Sequence, residues 1–155
     1  YDQCLAQRRR ASPARLSPMH TPTVAILGAS SDRNKFGNKS LRAHLRAGYR
    51  VFPIHPSERE IEGLPVVATL ASLPEPVDRI SVYLPPAVTR RTLPEIAAVH
   101  AREVWFNPGA ADEATRTEAR SLGIPVVDGC SIVDLGFSPS EFPGSDSSDH
   151  HSSRE

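Results

Sequence analysis

An excess of charge is the first thing this sequence lacks. Its 18 Lys+Arg are matched by 18 Asp+Glu, a formal net charge of +0. That argues against nucleic acid as a partner, because affinity for a phosphate backbone needs surplus Lys and Arg. It also removes any broad attraction to an anionic membrane surface. No run approaches the roughly 18 apolar residues of a membrane span, and no apolar stretch follows the early arginines as it would in a secretory signal. Two cysteines, Cys4 and Cys130, cannot by themselves build a disulfide framework or a four-ligand zinc site. Aromatic residues make up 6% of the chain and hydrophobic residues 39%, lean values that leave part of it outside any core. A chain of 155 residues closes one core rather than two. The expectation is a single-domain cytoplasmic protein with no membrane segment.

The ends and the middle differ in composition. Residues 1–20 carry Arg8, Arg9, Arg10 and Arg15 with no sustained apolar period, which predicts a flexible basic tail. Residues 137–155 are rich in Ser, Asp and Pro and offer little to bury, which predicts a disordered tail. His150 and His151 lie there without further metal ligands. The folded unit is expected over 21–136.

Within that unit, short apolar runs alternate with helical patterns. Strands are predicted at Thr23–Leu27, Arg50–Ile54, Val66–Val67, Arg79–Leu84, Glu103–Phe106 and Ile124–Val127. One helix is predicted to end at Gly48, with Leu41 and Leu45 on its buried face. Others are predicted from Val88 to His100, kinked at Pro94, and from Asp112 to Leu122, with a brief turn or helix at Leu70–Leu73. Strands that alternate with helices imply right-handed crossovers and a mainly parallel sheet covered on both faces. The expected fold is α/β, a Rossmann-like doubly wound sheet of about five to six strands. Such sheets bind ligands at the carboxyl ends of their strands.

Unusual residues collect just past those strand ends. After the first strand come Gly28, Ala29 and Ser30, then Arg33, Lys35, Phe36, Gly37 and Asn38. Small residues let backbone N–H groups approach a phosphate, and the dipole of the following helix favours the anion. The glycines do not follow the G-x-G-x-x-G spacing. After the second strand the chain reads Pro53, Ile54 and His55, with no acid before Glu58. A site for NAD places Asp or Glu there to hold the ribose 2′-hydroxyl. Its lack suits a nucleotide with an additional ribose phosphate, as in NADP or coenzyme A. His55 fits a ligand contact and an ordinary turn equally well. Leu84 ends the fourth predicted strand and Pro85 and Pro86 follow it, as Asn107, Pro108 and Gly109 follow the fifth. Both segments also fit a plain strand terminator or turn.

Taken in order, Gly28-Ala29-Ser30, Phe36-Gly37, Gly48-Tyr49, Val51 through Pro56, Tyr83 through Pro86, Val104 through Gly109 and Gly123 through Val127 carry a resemblance. They look like the small stand-alone CoA-binding domain proteins, a Rossmann-like family similar to the N-terminal domain of the succinyl-CoA synthetase α subunit. The likeness spans the folded unit and neither tail. It implies coenzyme A as the cofactor, with the pyrophosphate over Ser30 to Asn38 and the adenosine flanked by Pro53, Ile54 and His55. Leu84, Pro85 and Pro86 would line the adenine or pantetheine, and Asn107, Pro108 and Gly109 would sit beside the pantetheine arm. The family's charged segment after the last strand is replaced here by Asp128 through Leu135. Cys130 in that stretch fits a mixed disulfide with the CoA thiol or a small buried group, and nothing basic near it in sequence favours a thiolate.

Catalysis finds little support in the sequence. His44 and His100 read as surface or packing residues of helices, and no triad-like or metal-ligand spacing is present. The chain reads as a non-catalytic module of acyl-CoA metabolism that takes CoA or acyl-CoA. It would serve as carrier, sensor or enzyme subunit, with a protein partner or homo-oligomer as its company. Two alternatives stay open: an NAD(P)-binding oxidoreductase-type domain and a nucleotide-responsive regulatory protein.

Overall fold

Thr23–Leu27 carry no charge and no glycine, and they form strand β1 with all five residues buried. Burial on both faces is what a central parallel strand requires. The computed structural model describes residues 20–144. Most of the two expected tails, with the His150–His151 pair, lies outside the described residues.

The other elements follow in chain order as α1 (Phe36–Arg46), β2 (Arg50–Ile54), β3 (Glu60–Ile61), β4 (Leu64–Pro65), a 3-10 turn at Leu70–Ser72, β5 (Arg79–Val82), α2 (Pro86–Val99), β6 (Glu103–Phe106), α3 (Glu113–Ser121), β7 (Val126–Asp128), α4 (Ser131–Asp134) and a 3-10 turn at Pro139–Glu141. The main sheet has five parallel strands in the order β2-β1-β5-β6-β7. The order in which the chain lays down its strands reverses between β1 and β5, the topological switch point at which doubly wound sheets open a crevice. One face packs Ala25, Leu27, Ile80 and Val82 against Leu93 and Ile96 of α2 and Ala119 of α3. The other packs Val24, Ile26 and Val51 against Leu41 of α1. The expected α/β architecture is present.

Several local expectations are corrected. Val66–Val67 do not form a strand; Val67 makes a single parallel bridge to Ile54. The residues before it fold instead into the β3–β4 hairpin around Glu62, whose φ is 52°. Strand β5 stops at Val82, because Pro85 serves as N-cap and Pro86 as the first residue of α2. That helix runs on through Pro94. Strand β7 starts after Pro125, which has no N–H for the ladder. Leu45 is 39% exposed, while the buried stripe of α1 runs through Gly37, Leu41 and His44.

The disordered tail expected from residue 137 is corrected up to residue 144. Phe142 is buried in a cluster with Ala43 and Ile132, against which Phe137 packs. The Arg46 guanidinium lies 4.5 Å from the Phe142 ring, and Arg42 donates to the carbonyls of Phe142 and Pro143. Two aromatic residues and two arginines of α1 thus overcome a polar local composition.

Beneath α1 and α4 the core is polar. Arg79 is buried, donates to Glu103 Oε1 at 3.0 Å and Asp134 Oδ2 at 2.8 Å, and lies between the rings of Tyr49 and Trp105. His44 is fully buried, as a packing residue; its Nδ1 contacts the Ser40 carbonyl at 2.8 Å and its Nε2 faces Arg79 Nη1 at 3.3 Å. Donation from Nδ1 leaves Nε2 to accept from the guanidinium. Burial, with a further contribution from Arg79, lowers the His44 pKa to about 3.

Two outcomes are expected. Phe142→Ala should cost about 3 kcal/mol in urea unfolding, whereas a disordered tail would leave the midpoint unchanged. Because His44 binds its proton less readily folded than unfolded, stability should fall as pH drops from about 6.5 toward 3. One group contributes a slope of about 1.4 kcal/mol per pH unit within that window. Unfolding of wild type and His44→Gln at several pH values checks this, with a shallower slope expected for the variant.

Candidate functional site

The carboxyl ends of β1, β2 and β5 border a cleft of about 410 Å³. From the loop after β1 it takes Gly28, Ala29, Ser30 and Lys35; from the end of β2, Ile54 and His55; after β5, Leu84. These seven expected site residues, distant in sequence, are brought to one concavity by the crossover at the switch point.

Its geometry starts from two glycines. Gly28 has a φ of +95°, and a Cβ there would stand 2.6 Å from the carbonyl oxygen of Tyr83. A Cβ on Gly37 would run into the Gly28 carbonyl oxygen. The first turn of α1 therefore lies directly against the end of β1, which only glycine permits. Lys35 is the N-cap residue of α1 and its side chain makes no capping hydrogen bond. Among the described residues, the backbone N–H groups of Ser30, Arg33, Phe36 and Gly37 have no acceptor. Donors without a partner and the positive end of the helix dipole are a combination that favours an anion.

The loop is braced by carboxylates from the segment after β2. Glu62 Oε2 accepts from Arg33 Nε and from Asn38 Nδ2, both at 3.0 Å. Glu58 Oε2 accepts from the Ser31 hydroxyl at 3.0 Å and its N–H at 3.4 Å. His55 Nδ1 accepts the N–H groups of Ser57 at 3.0 Å and Glu58 at 2.9 Å, which leaves the ring proton on Nε2.

The remaining expected residues do not line the cleft. Asn38 is fully buried; its amide donates to the Ser30 carbonyl and Glu62 and accepts from Arg42. Phe36 is 55% exposed, with Lys39 Nζ 5.8 Å from its ring. Pro53 is buried within β2, opposite Ile26. Pro85 and Pro86 open α2. Asn107 is buried and wholly engaged, donating to Ser81 Oγ and the Val82 carbonyl and accepting from the Ser131 N–H and hydroxyl. Pro108 and Gly109 form an exposed turn. Cys130 is a half-buried free thiol packed against the cluster of Ala43, Ile132 and Phe142.

Sequence inspection missed Thr69, Leu70, Tyr83, Thr92 and Glu95, which line the cleft together with Leu27, Pro56 and Ala68. Thr69 and Leu70 follow Val67, and its single bridge to Ile54 carries them to the same sheet edge. The β-type pair Val66-Val67 was the available signal for them. Thr92 and Glu95 lie one turn apart on α2, and no local pattern separates them from other surface residues.

A family model described as a CoA binding domain matches residues 22–136. A conserved hypothetical protein from Pyrococcus furiosus is similar at 32% identity and a TM-score of 0.68, covering 73% of this chain and 98% of that one. A Thermus thermophilus protein is similar at 32% identity and a TM-score of 0.72, covering 84% and 96%. The dinucleotide-forming acetyl-coenzyme A synthetase 1 of Ca. Korarchaeum cryptofilum, in its apo form, is similar at 25% identity and a TM-score of 0.60, over 68% of this chain and 25% of that one.

Gly37→Ala should push α1 away from β1 and cost about 2 kcal/mol of stability, read as a lower urea midpoint. An unchanged midpoint would mean that the contact with the Gly28 carbonyl relaxes without strain.

Proposed function

The chain belongs to the CoA-binding domain family, and on that premise we propose that it binds coenzyme A without catalysing a reaction of its own. The observation that carries this is the uncapped start of α1, whose N-cap residue Lys35 lines the switch-point cleft together with Gly28, Ala29 and Ser30. The pyrophosphate meets the N–H groups of Ser30, Arg33, Phe36 and Gly37, with Lys35 supplying a cation. The adenosine lies between Ile54, His55 and Leu84, where His55 offers its Nε2–H as a donor. The exposed Pro108–Gly109 turn is left for the pantetheine arm. Asn107 is spent inside the protein and serves as a brace for that turn rather than as a ligand contact.

Among the described residues there is no group of three His, Cys, Asp or Glu side chains able to hold a metal ion, and no described helix is long and apolar enough to cross a membrane. The aligned part of the acetyl-coenzyme A synthetase is a quarter of that chain, which suits a module that hands its ligand to a partner, as a carrier, sensor or subunit in acyl-CoA metabolism.

Calorimetric titration of the full chain with CoA, dephospho-CoA, NAD and NADP tests this. CoA should bind in the micromolar range and the two nicotinamide nucleotides should not. Lys35→Ala should weaken CoA about tenfold, the loss of one charge-assisted contact. Binding of NADP in place of CoA would move the oxidoreductase alternative to first place.

A further inference from the structure

We propose that Glu58 is a specificity-determining residue of the cleft, an internal carboxylate that holds donors of the first loop until a ligand diphosphate displaces it. This rests on the loop's being the phosphate site. In the free protein Glu58 Oε2 takes both the hydroxyl and the N–H of Ser31. A carboxylate that accepts from a hydroxyl and an adjacent backbone N–H does there what a phosphate oxygen would do. Its position is built. The N–H groups of Ser57 and Glu58 close on His55 Nδ1, and this turn swings the Glu58 side chain back across the cleft rim to the first loop. His55 Nε2 then lies 3.9 Å from Glu58 Oε2.

Charge at the loop is balanced accordingly. Arg33, the cation nearest in sequence to the small residues, is already paired with Glu62 at 3.0 Å. Glu62 is fastened a second time by the fully buried Asn38 and stays in place. Glu58 has Ser31 as its one hydrogen-bonding partner on the loop and is the group free to leave. An anion that enters replaces one negative charge by another, so it gains only if it brings more charge and more acceptors than Glu58 did. A diphosphate meets that condition by reaching Ser31 and the start of α1 together. A lone phosphate trades one set of contacts for another. The carboxylate therefore sets a threshold that admits diphosphate-bearing ligands such as CoA and turns away single phosphates.

Full-length wild type, Glu58→Gln and Glu75→Gln are titrated with CoA, inorganic pyrophosphate and inorganic phosphate. Gln keeps the shape and a neutral hydrogen bond to Ser31 while removing the charge. Glu75 lies away from the loop, paired with Arg50 at the start of β2, and its variant controls for net charge alone. Glu58→Gln should bind CoA and pyrophosphate about tenfold more tightly than wild type and acquire measurable affinity for phosphate. Glu75→Gln should match wild type. Equal or weaker binding by Glu58→Gln overturns the proposal, as does an equal gain in both variants. If CoA fails on every protein while pyrophosphate gains on Glu58→Gln, the threshold stands and the CoA assignment falls. If no probe binds any of the three, both fall.

Discussion

The contact on which the site depends is the seating of α1 against the end of β1. Gly37 lies so close to the Gly28 carbonyl that a Cβ there would run into it, and Gly28 itself lines the cleft. Gly28 in turn runs close beneath the Tyr83 carbonyl, so the loop is sandwiched between β5 and α1. This sandwich places the uncapped first turn of α1 at the switch point of the sheet. A longer side chain at either glycine would separate the dipole end from the crevice it serves.

On the same face, polar groups do work that apolar side chains do elsewhere in the core. Ser81, Asn107 and Ser131 form a closed set of hydrogen bonds that ties β5 and β6 to the start of α4. Farther down the sheet, Arg79 joins β5 and β6 to the end of α4 through Glu103 and Asp134. No buried side-chain donor or acceptor among the described residues is left without a partner. Such a network fixes α4, only four residues long, in one position, at the cost of burying charge. It also explains why Asn107, at a strand end where ligand contacts are expected, is turned inward.

The charge balance of the whole chain is repeated locally at the first loop. Basic residues in the loop suggest an electropositive site when the sequence is read alone. In space, Glu58 and Glu62 return from the segment after β2 to face Ser31 and Arg33. The acid that is missing from the end of β2 in the sequence thus reaches the cleft rim by way of the turn at His55. Family membership makes CoA the ligand to test first, and Glu58 is the carboxylate proposed to set how selective the loop is toward anions.

Local pattern was enough for the five strands of the main sheet to within a few residues, though not for the β3–β4 hairpin, and for the three longer helices, the doubly wound arrangement and the edge of the sheet where the cleft lies. Those features follow from apolar runs, from glycine and proline at element ends, and from the helices between successive strands, which make parallel crossovers. Gly28, Ala29, Ser30, Lys35, Ile54, His55 and Leu84, expected at strand ends or in the first loop, all line the one cleft. What only the tertiary structure decided depends on partners far apart in the chain. Whether Asn38 and Asn107 face a ligand or the core, whether Arg33 is free or paired, and whether residues 137–144 fold are settled by Glu62, Ser131, Arg42 and Arg46. No local periodicity records such pairings, because a hydrogen bond or an ion pair is a property of two positions that the fold brings together.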